Sequence, residues 1–187
     1  MNPGGDLERT LAKLDETLRG LGVSYHCTGG LVSSFYGEPR LTRDVDVVLR
    51  PPQMPDGTER LIHALQPGFL IDPALVRRAI GEKGMFQALD RKTLVKIDFH
   101  VGEAVPGELG RSAMEELLPG LTLPLVSRED AILSKLLWAR KGSEQSRRDA
   151  AAMVRAGELL DWTALHVRAE QLGIQDLLED VRRNTTG

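Results

Sequence analysis

The spacing of apolar positions changes several times along the chain, and each change predicts a different secondary structure. Behind the capping residue Asp6, leucines at positions 7, 11, 14 and 18 recur at helical spacing and predict a helix to about Leu18. Short segments with alternating or continuous apolar residues predict strands at 23–28, 43–49, 85–89 and 93–101. Helical spacing returns at 31–36, 58–65 and 74–80, and it dominates after residue 127.

A run of helices thus follows a region of mixed helix and strand, and this order predicts an α+β fold. Ser127 and Ser146 each open a segment that resembles a helix-capping box, and the helices behind them extend to about residues 141 and 156. Two more helices are predicted at 161–172 and 174–183. We therefore predict an α/β core over residues 1–126 and a C-terminal helical region, residues 127–187, packed on it.

Composition and charge narrow the class of protein. The 187 residues are 41% hydrophobic and 27% charged, which suits one globular domain with at most a small appendage. A net charge of −3 argues against coating nucleic acid by bulk electrostatics, although it leaves room for a local basic groove. Cys27 is the single cysteine, so an internal disulfide is excluded. Without an apolar signal core or an apolar run near ~20 residues, we expect a cytoplasmic protein with no membrane partner.

Three aspartates in apolar segments are the most informative polar residues. Asp44 and Asp46 lie two residues apart in a predicted strand, so their side chains share one face and the valines between and after them share the other. Asp98 lies on the polar face of a later amphipathic strand. Carboxylates on one face repel unless cations lie between them, and Mg²⁺ or Mn²⁺ prefers such oxygen ligands. We predict that these three residues bind metal; the alternative is that they face water on a strand edge.

Gly29 and Gly30 lie where a predicted strand gives way to a helix, and thirteen residues separate Gly30 from Asp44. Without Cβ atoms they let the backbone approach a ligand closely, and the amides at the start of the helix favour an anion such as a triphosphate. An ordinary glycine turn is the alternative. Arg40, Arg43 and Lys96 are further candidate partners for an anion.

Lys135 interrupts the apolar side of a predicted helix. Apolar residues surround it at the positions three and four residues before and after. Such a lysine either extends along the surface to reach water or meets an anion, which here is a phosphate or an active-site carboxylate. The sequence leaves both alternatives open. Arg147 and Arg148 are interpreted as part of a solvated face.

The aspartate strands and the Gly29-Gly30 pair together resemble the nucleotidyltransferase superfamily of the DNA polymerase β type. The string from Gly29 to Asp46 is similar to small bacterial nucleotidyltransferase-like proteins that include the toxins of abortive-infection systems. The segment 127–137, with its lysine-bearing helix, also looks like that branch. The resemblance covers roughly residues 23–155. One departure is Gly30, where many superfamily members have serine.

The resemblance implies a mixed β-sheet flanked by helices, and metal-dependent transfer of a nucleoside monophosphate from a nucleoside triphosphate (NTP). It assigns Asp44, Asp46 and Asp98 to catalysis and metal binding, with Asp98 at the acceptor side. Gly29, Gly30 and Ser33 would contact phosphate. The acceptor stays open among RNA, a protein and a small molecule, and the toxin version implies an antitoxin partner. A non-catalytic nucleotide- or protein-binding module is the alternative, and a metal-dependent hydrolase is disfavoured because no His/Asp cluster is present.

Overall fold

The computed structural model of the protein describes residues 3–40, 42, 44–156 and 159–185. In this part of the chain, helices and strands are mixed up to residue 125 and four helices follow. The helices are α1 (Pro3–Gly20), α2 (Gly29–Tyr36), α3 (Gly57–Leu65), α4 (Pro73–Glu82), α5 (Arg128–Arg140), α6 (Glu144–Arg155), α7 (Trp162–Leu172) and α8 (Gln175–Thr185). The strands are β1 (Tyr25–Thr28), β2 (Asp44–Leu49), β3 (Phe69–Leu70), β4 (Met85–Asp90), β5 (Lys96–Val101), β6 (Ala113–Leu118) and β7 (Leu121–Leu125).

All the described strands form one mixed sheet in the order β3-β4-β5-β2-β1-β7-β6. β2 is the middle strand of this order, parallel to β5 on one side and antiparallel to β1 on the other. The outer strands β3 and β6 pair antiparallel with β4 and β7. The strand that carries two aspartates is therefore enclosed on both edges, and its acids have neighbours from β1 and β5.

The alternation of side chains along β2 and β5 sends one face of the sheet into the core. Val45, Val47, Ile97 and Phe99 are at most 1% exposed. Phe99 stacks on Phe86 of β4, with ring centroids 4.6 Å apart. Each such buried side chain contributes roughly 1.5–3 kcal/mol relative to exposure. The opposite face of the same two strands keeps the polar residues, so the hydrophobic core fixes the direction in which the aspartates point.

The helices pack in two groups. Helices α1, α3 and α4 contact one another or the sheet, while α2 packs against β2 and against α5 and α6 of the C-terminal part. The hydrophobic core is continuous from Val32 and Leu125 to Ile132, Leu136 and Met153. A division of the chain near residue 126 stays a prediction. None of the helices in the described residues combines the length and apolar character that a bilayer crossing requires.

Three strands and two helix starts differ from the sequence prediction. β3, β6 and β7 were not predicted; β3 has only two residues, and β6 consists of residues that favour helices. α6 begins behind Ser143, whose hydroxyl accepts from the Ser146 amide, rather than at Ser146. α1 begins at Pro3 rather than behind Asp6. The Asp6 carboxylate lies in the first turn of α1, where it pairs with Arg9 one turn later.

Candidate active site

The register between β2 and β5 brings the predicted acids together. Asp46 is directly opposite Asp98, and Asp44 is opposite Lys96. Because these strands are parallel and in register, all four side chains lie on the same face. Two carboxylates directly opposite one another on a sheet destabilise it unless a cation lies nearby. The sequence predicted the common face of Asp44 and Asp46, while the structure adds that Asp98 is their immediate neighbour.

Two cationic or titratable side chains lie among these carboxylates. The Lys96 ammonium bridges Asp44 and Asp98, at 3.3 and 3.2 Å from their nearest oxygens. Hydrogen bonding to Asp98 raises the pKa of Lys96. His100 Nε2 lies 3.2 Å from Asp46 Oδ1. Each of the three aspartates thus has a polar neighbour on β5, and the Lys96 ammonium reduces the repulsion between Asp44 and Asp98.

Glycine is required at position 29 by the carboxylate of Asp46. Gly29 begins α2 with φ +71°, and a Cβ atom there would lie 1.9 Å from Asp46 Oδ2. Gly30 is also tightly covered, since a Cβ atom would lie 2.9 Å from Arg40 Nη2. The start of α2 therefore faces an aspartate and an arginine at close range. The predicted close approach of this backbone to a phosphate ligand stays a prediction, because the groups that lie against the two glycines here are side chains of the protein itself.

Ser33 differs from its predicted role. It is 3% exposed, and its hydroxyl donates to the Gly29 carbonyl at 2.7 Å. That bond closes the first turn of α2, so the hydroxyl is not directed at a ligand. Arg43, another predicted phosphate partner, lies outside the described residues.

Lys135 meets an anion, but the anion comes from the next helix. Its ammonium lies 2.9 Å from Asp149 Oδ2 on α6. The same carboxylate accepts two hydrogen bonds from Arg40, at 3.2 and 3.0 Å, and one from Gln145. Burial alone would raise the pKa of Asp149, yet its bonds to Arg40, Gln145 and Lys135 outweigh burial and lower that pKa. The Asp149 carboxylate therefore bridges Lys135 and Arg40, and Arg40 is the residue whose guanidinium lies against Gly30.

A cavity of about 490 Å³ separates the carboxylate face from α5. One wall includes Gly29, Asp46 and His100, and the other includes Lys135 and Trp138. Its volume falls within the 300–1,000 Å³ usual for small-molecule sites. Gly29, Asp46 and Lys135, which the sequence predicted as site residues, thus share one cavity, and β2–β5 pairing places Asp44, Lys96 and Asp98 on the face that carries Asp46.

Sequence reasoning missed Asp149 and Trp138. A signal for Asp149 is present, because Ser146, Asp149, Ala150 and Met153 form the buried stripe of α6. An acid on such a stripe needs a charged partner. Trp138 was treated only as an apolar neighbour of Lys135. No sequence pattern shows that its ring is half exposed in the cavity.

The donor chemistry of this face fits a hard divalent metal ion. Among the described residues, no three His, Cys, Asp or Glu side chains already converge as a metal site. The carboxylates of Asp44, Asp46 and Asp98 nevertheless supply the oxygen ligands that Mg²⁺ and Mn²⁺ prefer. The Lys96 ammonium lies between Asp44 and Asp98, so a metal ion shared by these two carboxylates would displace it.

A family comparison is decisive on the class of protein. Residues 28–155 match the model of the family described as nucleotidyl transferase AbiEii toxin, type IV TA (toxin–antitoxin) system. The chain belongs to this family. The matched segment begins at β1 and ends at the last residue of α6, so it includes the aspartates, Gly29-Gly30 and the Lys135–Asp149 pair. The resemblance inferred from the sequence is confirmed. A search of curated proteins finds no match.

Solved structures of low sequence identity share the fold of this family member. An antigenic nucleotidyltransferase-like protein from Paracoccidioides brasiliensis is 18% identical, with a TM-score of 0.58 over 95% of this chain and 93% of that one. The antibiotic-resistance factor ANT(2″)-Ia is 14% identical, with a TM-score of 0.56 over 98% and 100% of the two chains. The lincomycin-bound lincosamide adenylyltransferase LnuA is 15% identical, with a TM-score of 0.51 over 78% and 94%. The predicted α+β nucleotidyltransferase-like fold is confirmed.

Proposed function

We propose that the protein is a divalent-metal-dependent nucleotidyltransferase that transfers a nucleoside monophosphate from an NTP to a hydroxyl acceptor. The observation that carries this proposal is the in-register pairing of Asp46 with Asp98 beside Gly29. It puts three carboxylates on one face, next to a helix start that favours phosphate. Membership of the nucleotidyltransferase family and the adjoining cavity support the same assignment.

Each residue has a proposed part in positioning the reactants. Asp44 and Asp46 hold Mg²⁺ or Mn²⁺, which when bound neutralises phosphate charge and orients the triphosphate. The amides at Gly29 and Gly30 face the phosphates. Lys96 exchanges its bonds to Asp44 and Asp98 for bonds to the nucleotide. Lys135 faces the triphosphate from the opposite wall of the cavity.

Asp98 is proposed as the general base or metal ligand on the acceptor side. Gln87 holds it in place by donating to Asp98 Oδ1 at 2.9 Å. In the transfer step, the acceptor oxygen forms a bond to the α-phosphorus, and the bond between that phosphorus and the α,β-bridging oxygen breaks. Pyrophosphate leaves, and the acceptor proton passes to the Asp98 carboxylate.

Label transfer tests this function. Cell extract is incubated with the protein and each of four α-labelled NTPs, with Mg²⁺ or with chelator, and mass spectrometry identifies the labelled acceptor. We expect labelling that needs metal and is lost in Asp46→Asn. Asp56→Asn, the same chemical change at an exposed position, is the matched control. Undiminished labelling by Asp46→Asn contradicts the proposal, and equal NTP affinity in chelator contradicts its metal dependence.

The description of the family as toxins of a type IV toxin–antitoxin system supports a further proposal about the partner. Expression of the protein alone arrests growth, and a separate antitoxin relieves the arrest. Growth curves of cells expressing the wild type or Asp46→Asn check this. Growth arrest by both the wild type and Asp46→Asn would show that toxicity does not require nucleotidyl transfer.

A non-catalytic nucleotide-binding module is the second candidate function. The Lys96 bridge between Asp44 and Asp98 favours it, because the ammonium already offsets part of the negative charge of these two carboxylates without metal. Metal-independent NTP binding without label transfer to any extract component would select this alternative.

A further inference from the structure

Trp138 is the large apolar side chain of the cavity that the core does not explain. The apolar side of α5 is buried through Ala131, Ile132, Leu133 and Leu136. Trp138 instead lies on the cavity side of that helix and is 49% exposed. An aromatic ring left half in water forgoes much of the stabilisation that burial gives, so a ligand in the cavity that covered the ring would gain that stabilisation.

The Trp138 ring lies on the same face of α5 as Lys135, whose ammonium pairs with Asp149. Lys135 and Trp138 are three residues apart, and Ser134 and Lys141 continue the face at helical spacing. All four line the cavity opposite Gly29 and Asp46. A nucleotide whose phosphates lie at Gly29 reaches α5 when its nucleoside extends across this cavity, because α5 forms the opposite wall.

We propose that Trp138 is the stacking platform for the base of the bound nucleotide. This inference rests on the proposed nucleotidyltransferase function and names the residue that binds the base. The Lys141 ammonium lies over the Trp138 ring, 4.7 Å from its centroid. That contact covers one face of the ring and holds the side chain of a half-exposed residue in position. Stacking is tolerant of base identity because every base has a π-face.

Tryptophan fluorescence tests the contact directly, because the chain has two tryptophans. Trp162 lies on α7, under the guanidinium of Arg182. In a Trp162→Phe background, Trp138 is therefore the single reporter. We expect quenching by each of ATP, CTP, GTP and UTP with Mg²⁺, and none by tripolyphosphate, which has no base. Equal quenching by tripolyphosphate, or none by any NTP that binds, overturns the stacking role.

Affinity provides the second measurement. Calorimetry of Trp138→Ala should show NTP binding weakened roughly five- to a hundredfold, since removing an aromatic platform costs about that much per base. Trp138→Phe should recover most of this loss. Tripolyphosphate affinity should not change in either variant. Val167→Ala, which truncates another half-exposed apolar residue on α7, is the matched control and should bind NTPs as the wild type does.

The outcomes separate this inference from the function on which it rests. NTP binding to the wild type with unchanged affinity in Trp138→Ala overturns the stacking role and leaves the transferase proposal intact. An equal loss of affinity for NTP and tripolyphosphate also overturns stacking, because it assigns Trp138 to the shape of the phosphate site. If no NTP binds the wild type, both proposals fail.

Discussion

Acidic side chains occupy two contrasting regions of this protein. On the open face of β2 and β5, Asp44, Asp46 and Asp98 have side chains 46%, 27% and 15% exposed. Under α5 and α6, the side chains of Asp130 and Asp149 are 0% and 4% exposed. The first group is in contact with solvent, and Asp46 also lines the cavity, whereas the second group is enclosed by helices.

Their cationic partners differ in the same way. Asp130 accepts two hydrogen bonds from Arg111 and one from Arg168, so each oxygen is held. On the sheet, one lysine serves both Asp44 and Asp98. A buried carboxylate with fixed partners supports the fold, while exposed carboxylates with a shared partner can exchange it for a ligand. The difference shows that the environment of an aspartate, and not its residue type, separates the acids that support the fold from those proposed to bind metal.

The largest expected effect lies on the open face. Asp46→Asn should lower transfer by roughly a thousandfold, because metal stabilisation of transition-state charge is worth several kcal/mol. Its unfolding free energy should stay within about 1 kcal/mol of the wild type, since the side chain is partly exposed and lies opposite another acid. Turnover assays and urea unfolding of the same sample measure both quantities. A large loss of stability would remove the contrast between the two regions.

In the enclosed region we expect the reverse: a loss of stability without a loss of NTP affinity. Asp130→Asn leaves Arg111 and Arg168 without their carboxylate and should lower the unfolding free energy by about 3 kcal/mol. NTP affinity of the remaining folded protein should not change. The control is Asp180→Asn, which breaks the surface pair with Arg147 and should cost less than about 1 kcal/mol. Equal losses in the two variants would show that enclosure adds nothing.

The sequence predicted the arrangement of the acids on the sheet better than the ion pairs of the enclosed acids. Alternation within β2 gave the common face of Asp44 and Asp46, because the period of a strand is local information. The pairing of Asp46 with Asp98 joins strands 52 positions apart in the chain, and residue numbers alone cannot supply that register. β6 was missed because its sequence, Ala113 to Leu118, is rich in helix formers, and pairing with β7 overrides that preference.

The enclosed acids were harder to predict than the open ones. Ser127 to Asp130 was interpreted as a helix start, and Ser127 does accept from the Asp130 amide at 3.2 Å. Nothing in that pattern indicates that the Asp130 side chain binds Arg111 and Arg168 from other elements. Arg147 was assigned to a solvated face, and it pairs with Asp180 of α8. These contacts depend on how helices pack, which local periodicity does not determine.

A third prediction uses pH to extend the comparison to Glu108, an enclosed acid beside β1. Burial raises the pKa of Glu108 to about 7, and burial lowers the pKa of His26, 3.9 Å away, to about 4. Because the folded pKa of Glu108 lies above its unfolded value, the folded state keeps this proton longer. The stability that protonated Glu108 contributes is therefore fully present below about pH 4.5 and is lost as the pH rises to about 7.

Glu108→Gln stays neutral and should remove that loss. The variant should gain about 3.5 kcal/mol relative to the wild type between pH 4.5 and pH 8, because the pKa of Glu108 rises from 4.5 to about 7 on folding and each pKa unit is worth ~1.4 kcal/mol. Urea unfolding across that range measures the difference. His26 titrates in both proteins and gives the opposite slope, since stability is lost as pH falls from about 6.5 to 4. A difference that does not vary with pH would place a charged Glu108 in the folded state.

The smallest effect concerns Lys135, which belongs to both regions. Its side chain is 13% exposed and pairs with the enclosed Asp149, yet it lines the cavity that Asp46 also lines. Lys135→Met keeps most of the side-chain volume and leaves Asp149 with Arg40 and Gln145. We expect an unfolding free energy lower by about 1 kcal/mol and NTP affinity weakened about tenfold, the loss of one charge-assisted contact.

Asp149→Asn provides the control for this residue, because it breaks the same ion pair and leaves the ammonium in the cavity. If Lys135 faces the triphosphate, Asp149→Asn should lower stability without weakening NTP binding, whereas Lys135→Met weakens binding. If Lys135 pairs only with Asp149, both variants should lose stability and neither should lose affinity for the NTP. Calorimetry with one NTP and urea unfolding distinguish these results. The second result would assign Lys135 to the enclosed region, and the open site would then consist of the residues on β2, β5 and the start of α2.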